Sequence, residues 1–177
     1  MWVGDPIFLL RVYMYCDADF AGDIQTQRST AGIFLALCGP HTLCSITWIS
    51  TRQSCMSSCT PEAEMVSGHV GVKKVLLPHI DLWIVLLPAR EEGDYLFVFC
   101  EDNTAMISVI QSGKNLTMKY LHRAHGISIA ALHERLSKSS EHRDPVFLTY
   151  TKSARMRADI FTKAIDKYGI RGIETSK

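Results

Sequence analysis

From Ile7 to Cys16 the chain is mostly apolar and rich in β-formers, which predicts a buried first strand over residues 7–16. A polar stretch, Asp23 to Ser29, reads as a turn. Ser29 to Cys38 is a second apolar run, halted by Gly39-Pro40. Cys44 to Ser50 alternates apolar and polar residues and predicts a third strand. The short spacings between these runs make the three an antiparallel meander.

The pattern then changes period. Thr60-Pro61-Glu62 has the form of a helix start, with Thr60 at the cap, Pro61 at the first helical position and Glu62 favourable to the helix dipole. The helix carries Glu64, Val66, Val70, Val72 and Val75, and a break or kink is expected near Pro78. A second helical piece is expected as far as Leu87. Gly68 and Gly71 weaken the helix locally but permit close packing on a sheet. Tyr95 to Cys100 is a continuous apolar run of the kind found in central parallel strands. A short helix follows over Thr104–Gln111, then a longer helical stretch from Leu116 to Leu136. Val146–Tyr150 is the last predicted strand and Ala154–Ile165 the last predicted helix.

The order is β-β-β-α-β-α-α-β-α. It predicts an α/β fold: a mixed five-stranded sheet, with strands 1–3 antiparallel and strands 1, 4 and 5 parallel, flanked by helices. The expected organisation is an N-terminal segment and start of the first strand over residues 1–10, one domain over 11–165 and a C-terminal tail over 166–177.

Composition adds bounds. With 177 residues, 47% of them apolar and 21% charged, the chain has an ordinary globular mixture and enough length for one cored domain. Six cysteines are scattered (16, 38, 44, 55, 59 and 100), and the first residues lack a basic n-region and a long apolar h-region. Reduced, intracellular thiols are the expectation, with a cytoplasmic or nuclear location. The most apolar window, Leu76 to Leu87, carries Pro78, His79 and Asp81 and is too short to span a bilayer, so no membrane partner is expected.

Net charge is +1 but unevenly placed. Residues 1–110 carry 6 Lys/Arg against 12 Asp/Glu; residues 111–177 carry 13 against 6. An acidic front half beside a basic back half suggests a cation site next to a polyanion-binding surface, although a solvated basic tail has the same composition.

Candidate chemistry lies in four acids. Asp17 falls at the end of strand one, Glu64 in the first turn of the first helix, Asp102 at the end of strand four and Asp159 in the last helix. A lone Asp-x-Asp such as Asp17-Ala18-Asp19 is as readily a turn as a ligand pair. Sites in open α/β sheets form at the carboxyl ends of strands, however, and strands one and four are expected to be neighbours there. Carboxylates brought so close cannot all ionise without cations. Oxygen-only ligands point to magnesium or manganese rather than zinc.

The segments carrying these acids are Y-C-D-A-D-F-A-G-D, S-T-A-G-I-F, I-T-W-I-S-T-R-Q, S-S-C-T-P-E-A-E-M, F-C-E-D-N-T-A and R-A-D-I-F-T-K-A-I. In this order they resemble the ribonuclease H domain of copia-type (Pseudoviridae) LTR retrotransposon Pol polyproteins, from about Tyr13 to Ile165. The resemblance implies the ribonuclease H-like fold and hydrolysis of the RNA strand of RNA/DNA hybrids during reverse transcription. It places the catalytic and metal-binding acids on Asp17, Glu64, Asp102 and Asp159, with Glu62 turned to another side of its helix. It implies two Mg²⁺ ions, or Mn²⁺, roughly 3.5–4 Å apart at the scissile phosphate. Asn103, Lys119, Arg123, Lys152 and Arg155 are the candidate contacts to the hybrid. For Asn103 the competing reading is a helix cap.

The match has departures. Residues Met118 to His125 fit the family's basic helix loosely, and Tyr150 to Ser153 offers no histidine ahead of the final acid. The family's domain follows a reverse transcriptase, and nothing precedes Met1 in this chain. A truncated, inactive retroelement remnant that keeps the fold and at most binds nucleic acid is therefore the alternative. Cys55-x3-Cys59 and His122-x2-His125 lack a complete zinc-ligand set. Cys16 and Cys100 are expected to be small buried fillers, and Trp48 a core residue.

Overall fold

β-Branched and aromatic residues place the strand β1 (Arg11–Asp19) at the centre of a five-stranded sheet in the computed structural model of the chain. The structure describes residues 4–87, 96–114, 118, 121–140, 144–163, 165–166 and 169–170. Around β1 lie β2 (Thr30–Cys38), β3 (Leu43–Arg52), β4 (Phe97–Glu101) and β5 (Val146–Tyr150), in the order β3-β2-β1-β4-β5. β1, β2 and β3 pair antiparallel, while β1, β4 and β5 run parallel. This mixed sheet flanked by helices has the predicted strand directions, with strands 1–3 antiparallel and strands 1, 4 and 5 parallel.

The first strand starts later than its apolar pattern suggests. Ile7–Leu9 forms a single 3₁₀ turn after Pro6. β2 ends opposite Arg11 and β4 begins opposite Val12, so residues before Arg11 have no strand to pair with. β1 in turn extends through Asp17 to Asp19, which puts both acids inside the strand.

The helix α1 (Thr60–Gly71) starts one residue off the expected cap. Cys59 holds the cap position without a side-chain bond, and Glu62 instead reaches back to accept the Ser58 N–H at 2.8 Å. Of the break or kink expected near Pro78, the break does not occur. A π-helical stretch (Val72–Leu76) leads directly into α2 (Leu77–Leu86), and its wider turn accommodates the proline ring and its missing N–H. The close approach expected of the glycines is present: a Cβ on Gly71 would lie 2.5 Å from the Cys16 sulfur.

One sheet face carries Val12, Met14, Cys16, Ile33, Leu35, Phe97 and Phe99, all fully buried, against Met65, Val66, Val72, Val75 and Leu76 of the helical layer. The opposite face carries Tyr15, Phe34, Ala36, Val98 and Cys100 beneath Met156 and Ala158. Cys16 and Cys100 are thus buried fillers, as expected. Trp48 is not a core residue: its side chain is 60% exposed, because the edge strand β3 has no neighbour on its outer side.

After β4, α3 (Thr104–Ser112) is capped by Asn103 and closed by Gly113 at φ 67°. The longer helical stretch expected over 116–136 is, among the described residues, two helices, α4 (Leu121–His125) and α5 (Ile129–Leu136). Gly126 at φ 69° separates them, a left-handed conformation that stops a helix. Lys119 and Tyr95 lie outside the described residues.

The expected helix over 154–165 is absent. Two 3₁₀ turns, Ser153–Arg155 and Asp159–Phe161, replace it. Met156 takes an extended conformation (ψ 99°), which lays Met156 and Ala158 flat on the sheet. Two short strands, β6 (Ile165–Asp166) and β7 (Gly169–Ile170), pair antiparallel beyond them. No helix among the described residues is long and apolar enough to cross a membrane.

Candidate metal centre

Parallel pairing of β1 with β4 sets the site's geometry. Tyr15 pairs with Cys100, so two residues further on Asp17 and Asp102 stand level at the carboxyl ends of adjacent strands. Glu64 leans over the same edge from the first turns of α1. Ser67, one helical turn beyond Glu64, fixes that approach: its hydroxyl donates to the Asp17 carbonyl at 2.8 Å. As a result, one carboxylate oxygen each from Asp17, Glu64 and Asp102 lie within 4.8 Å of one another.

Crowding and burial shape the charges. Burial first, then the Asp159 and Asp102 charges, push the Asp17 carboxyl up to about 6, against the pull of the Thr162 hydroxyl at 2.8 Å. Burial, followed by Glu101, Asp17 and Asp102, drives Glu64 well above the ordinary carboxylate range. Glu101 is 0% exposed and is likewise raised, chiefly by burial, despite accepting the Asn103 N–H at 3.0 Å.

This donor set suits a hard divalent cation. All three converging groups are oxygen ligands, and Glu64 Oε2 is buried with no hydrogen-bond partner among the described residues. A cation among them would offset both the repulsion and the orphaned oxygen. Cys55 and Cys59 are free thiols, and among the described residues the acid trio is the group of potential ligands that converges.

Asp159 lies beside the trio rather than within it. Its charge acts on Asp17, but its carboxylate is held 2.6 Å from Lys163 Nζ. The Thr162 hydroxyl, 2.8 Å from Asp17 Oδ2 and 2.9 Å from the Asp159 carbonyl, bridges the two. Glu62 faces away, as expected from its helical position, and sits 3.3 Å from the buried His125 ring without hydrogen-bond geometry.

Among the candidate substrate contacts, Asn103 spends its Oδ1 on the N–H groups of Ala105 and Met106 at 3.0 and 3.1 Å, so the cap is formed. Arg123, Lys152 and Arg155 are exposed. Three residues that shape the site escaped the sequence reading. Thr162 and Ser67 are small hydroxyls with no pattern of their own. Glu101 carried a signal: it follows Phe97 and Phe99 at strand period two, which directs it to the buried face.

No protein-family model matches the chain, and no curated protein matches it. Among solved structures, the chain is similar to the N-terminal RNase H domain of Rv2228c from Mycobacterium tuberculosis, solved as a fusion with maltose-binding protein. The identity is 14% and the TM-score 0.47, over 86% of this chain and 91% of that one.

Proposed function

We propose that the chain is a divalent-cation-dependent nuclease that hydrolyses the RNA strand of RNA/DNA hybrids, with Asp17, Glu64 and Asp102 as cation ligands and Asp159 as an adjoining acid. The observation that carries this reading is the convergence of three carboxylates, 85 residues apart from first to last, on one sheet edge. Mg²⁺ is the proposed ion, with Mn²⁺ as a substitute, and a pair of ions needs Asp159 to swing free of Lys163. Bound cations supply Lewis acidity to a phosphodiester and an acidified water for in-line attack.

The chain's own groups do the remaining work. Ser67 and Thr162 orient Asp17 from its carbonyl and its carboxylate, respectively. Arg123, Lys152 and Arg155, with Lys119, are the proposed contacts to the hybrid's phosphates. The proposed setting is a copia-type Pol polyprotein, with a reverse transcriptase as the upstream partner and the domain spanning 11–165, inside the cell.

The test is cleavage of an end-labelled RNA/DNA hybrid with Mg²⁺, comparing the chain with Asp102→Asn. Cutting by the parent alone, leaving 5′-phosphate and 3′-hydroxyl ends, is the expected result. If neither protein cuts while both bind the hybrid, the chain is a non-catalytic nucleic-acid binder.

A further inference from the structure

The sheet face opposite α1 holds a cavity of about 760 Å³, within the size range of small-ligand sites. Its described lining combines Tyr13 and Tyr15 of β1, Thr149 and Thr151 at the end of β5, and Arg155 and Arg157 from the segment crossing above. The two tyrosine rings are stacked at 6.2 Å, and the Arg157 guanidinium lies 6.0 Å over the Tyr15 ring. Among the described residues no carboxylate lines the cavity, and neither arginine is paired with one.

We propose that this cavity binds a nucleoside monophosphate unit, its base against the Tyr13 ring and its phosphate on Arg155 and Arg157. Three observations select that chemistry. Two guanidiniums without a described acidic partner present planar donor forks suited to phosphate. The half-buried Tyr13 ring, backed by the buried Tyr15, offers a stacking surface that tolerates any base. Thr149 and Thr151 add hydroxyl groups to the same lining. The unit has two possible sources, a free nucleotide or one residue of a nucleic-acid strand. Position bears on the second: Tyr15 and Asp17 share a strand face two residues apart, roughly 7 Å along the strand. Nucleotide binding here does not depend on cleavage, although Arg155 is also one of the proposed hybrid contacts.

The experiment is calorimetric titration of the full chain with AMP, adenosine, inorganic phosphate and an eight-nucleotide single strand, in metal-free buffer. AMP is expected to bind more tightly than adenosine or phosphate. The double variant Arg155→Gln/Arg157→Gln is expected to weaken AMP about tenfold or more, the loss typical of charge-assisted hydrogen bonds, with adenosine little changed. Tyr13→Leu, which keeps apolar volume, is expected to weaken AMP and adenosine together. Asp102→Asn is expected to bind AMP like the parent while losing cleavage, which separates this site from the acid cluster. Tighter binding of the strand than of AMP, lost in the arginine variant, assigns the site to a strand residue; the reverse order assigns it to free nucleotide. AMP binding indifferent to both arginines, phosphate binding as tight as AMP, or no binding by AMP and strand alike overturns the proposal.

Discussion

The Thr162 hydroxyl donates to Asp17 Oδ2 at 2.8 Å, joining residues 145 positions apart. This contact ties the segment after β5 to the central strand at the acid cluster. It also favours the ionised form of a carboxylate that burial disfavours.

Thr162→Val removes that bond and raises the Asp17 pKa further. The acid limb of the pH–rate profile is expected to move up by roughly half a unit to one unit, since a hydrogen bond to the charged form is lost. Thr162→Ser is expected to keep the parent profile. A Val profile identical to the parent's would show that Asp17 does not govern the limb.

Asp159→Asn has the opposite sign. Removing a like charge near Asp17 lowers its pKa, so the acid limb is expected to move down while Lys163 is released. The maximal rate is expected to fall less than in Asp17→Asn, because Asp17 belongs to the converging trio and Asp159 does not. Rates at saturating Mg²⁺ for the two variants check this order.

Stability without metal is expected to fall as pH rises. Asp17 holds its proton to about pH 6 in the folded chain, against an ordinary value of 3.8. The fold therefore has its full stability from this group below pH 3.8 and loses it as pH rises through 6, a difference of ~3 kcal/mol. Glu64 and Glu101, both shifted upward, extend the loss to higher pH. Mg²⁺ is expected to raise the melting temperature more at pH 8 than at pH 5, because cation and protons compete for the same oxygens. Thermal melts with EDTA and with Mg²⁺ read this directly.

Glu101→Gln is expected to raise the metal-free melting temperature at pH 8. The substitution removes a buried group whose ionisation burial disfavours, and the amide oxygen can still accept the Asn103 N–H. A lower melting temperature would mean that the carboxylate is needed for packing beneath the trio.

Gly71→Ala is expected to cost roughly 1–3 kcal/mol, the usual penalty for overpacking a filled core. The added methyl would meet the Cys16 sulfur at 2.5 Å, between α1 and β1. Adding Cys16→Ala to the same chain is expected to recover most of the loss in a denaturant titration.

The hydrophobic pattern identified every strand of the sheet, and the parallel neighbours β1 and β4 followed from element order. Asp17, Glu64 and Asp102 were legible because each lies within a few residues of a strand's end or a helix's start. Asp159 was assigned to a helix by its apolar spacing, yet tertiary packing flattens that segment: Met156 and Ala158 gain more by lying on the sheet than by completing helical turns. The π-helical stretch was equally hidden, since local rules predict only that Pro78 disrupts an α-helix. Trp48 showed the limit of composition. An indole in an alternating strand suits a core, but only sheet order reveals that β3 is an edge.

The pairing of β1 with β4 has a consequence for how the molecule is assembled. Val12 and Phe97, 85 positions apart in sequence, must find each other, a long-range closure of the kind that forms slowly. The α1 acid can approach β1 earlier, but Asp102, the third proposed ligand, arrives only with β4. Cation capture during refolding should therefore lag behind the meander and coincide with the last slow phase. A nascent chain still lacking β4 would hold two of the three converging acids and no complete pocket for an ion.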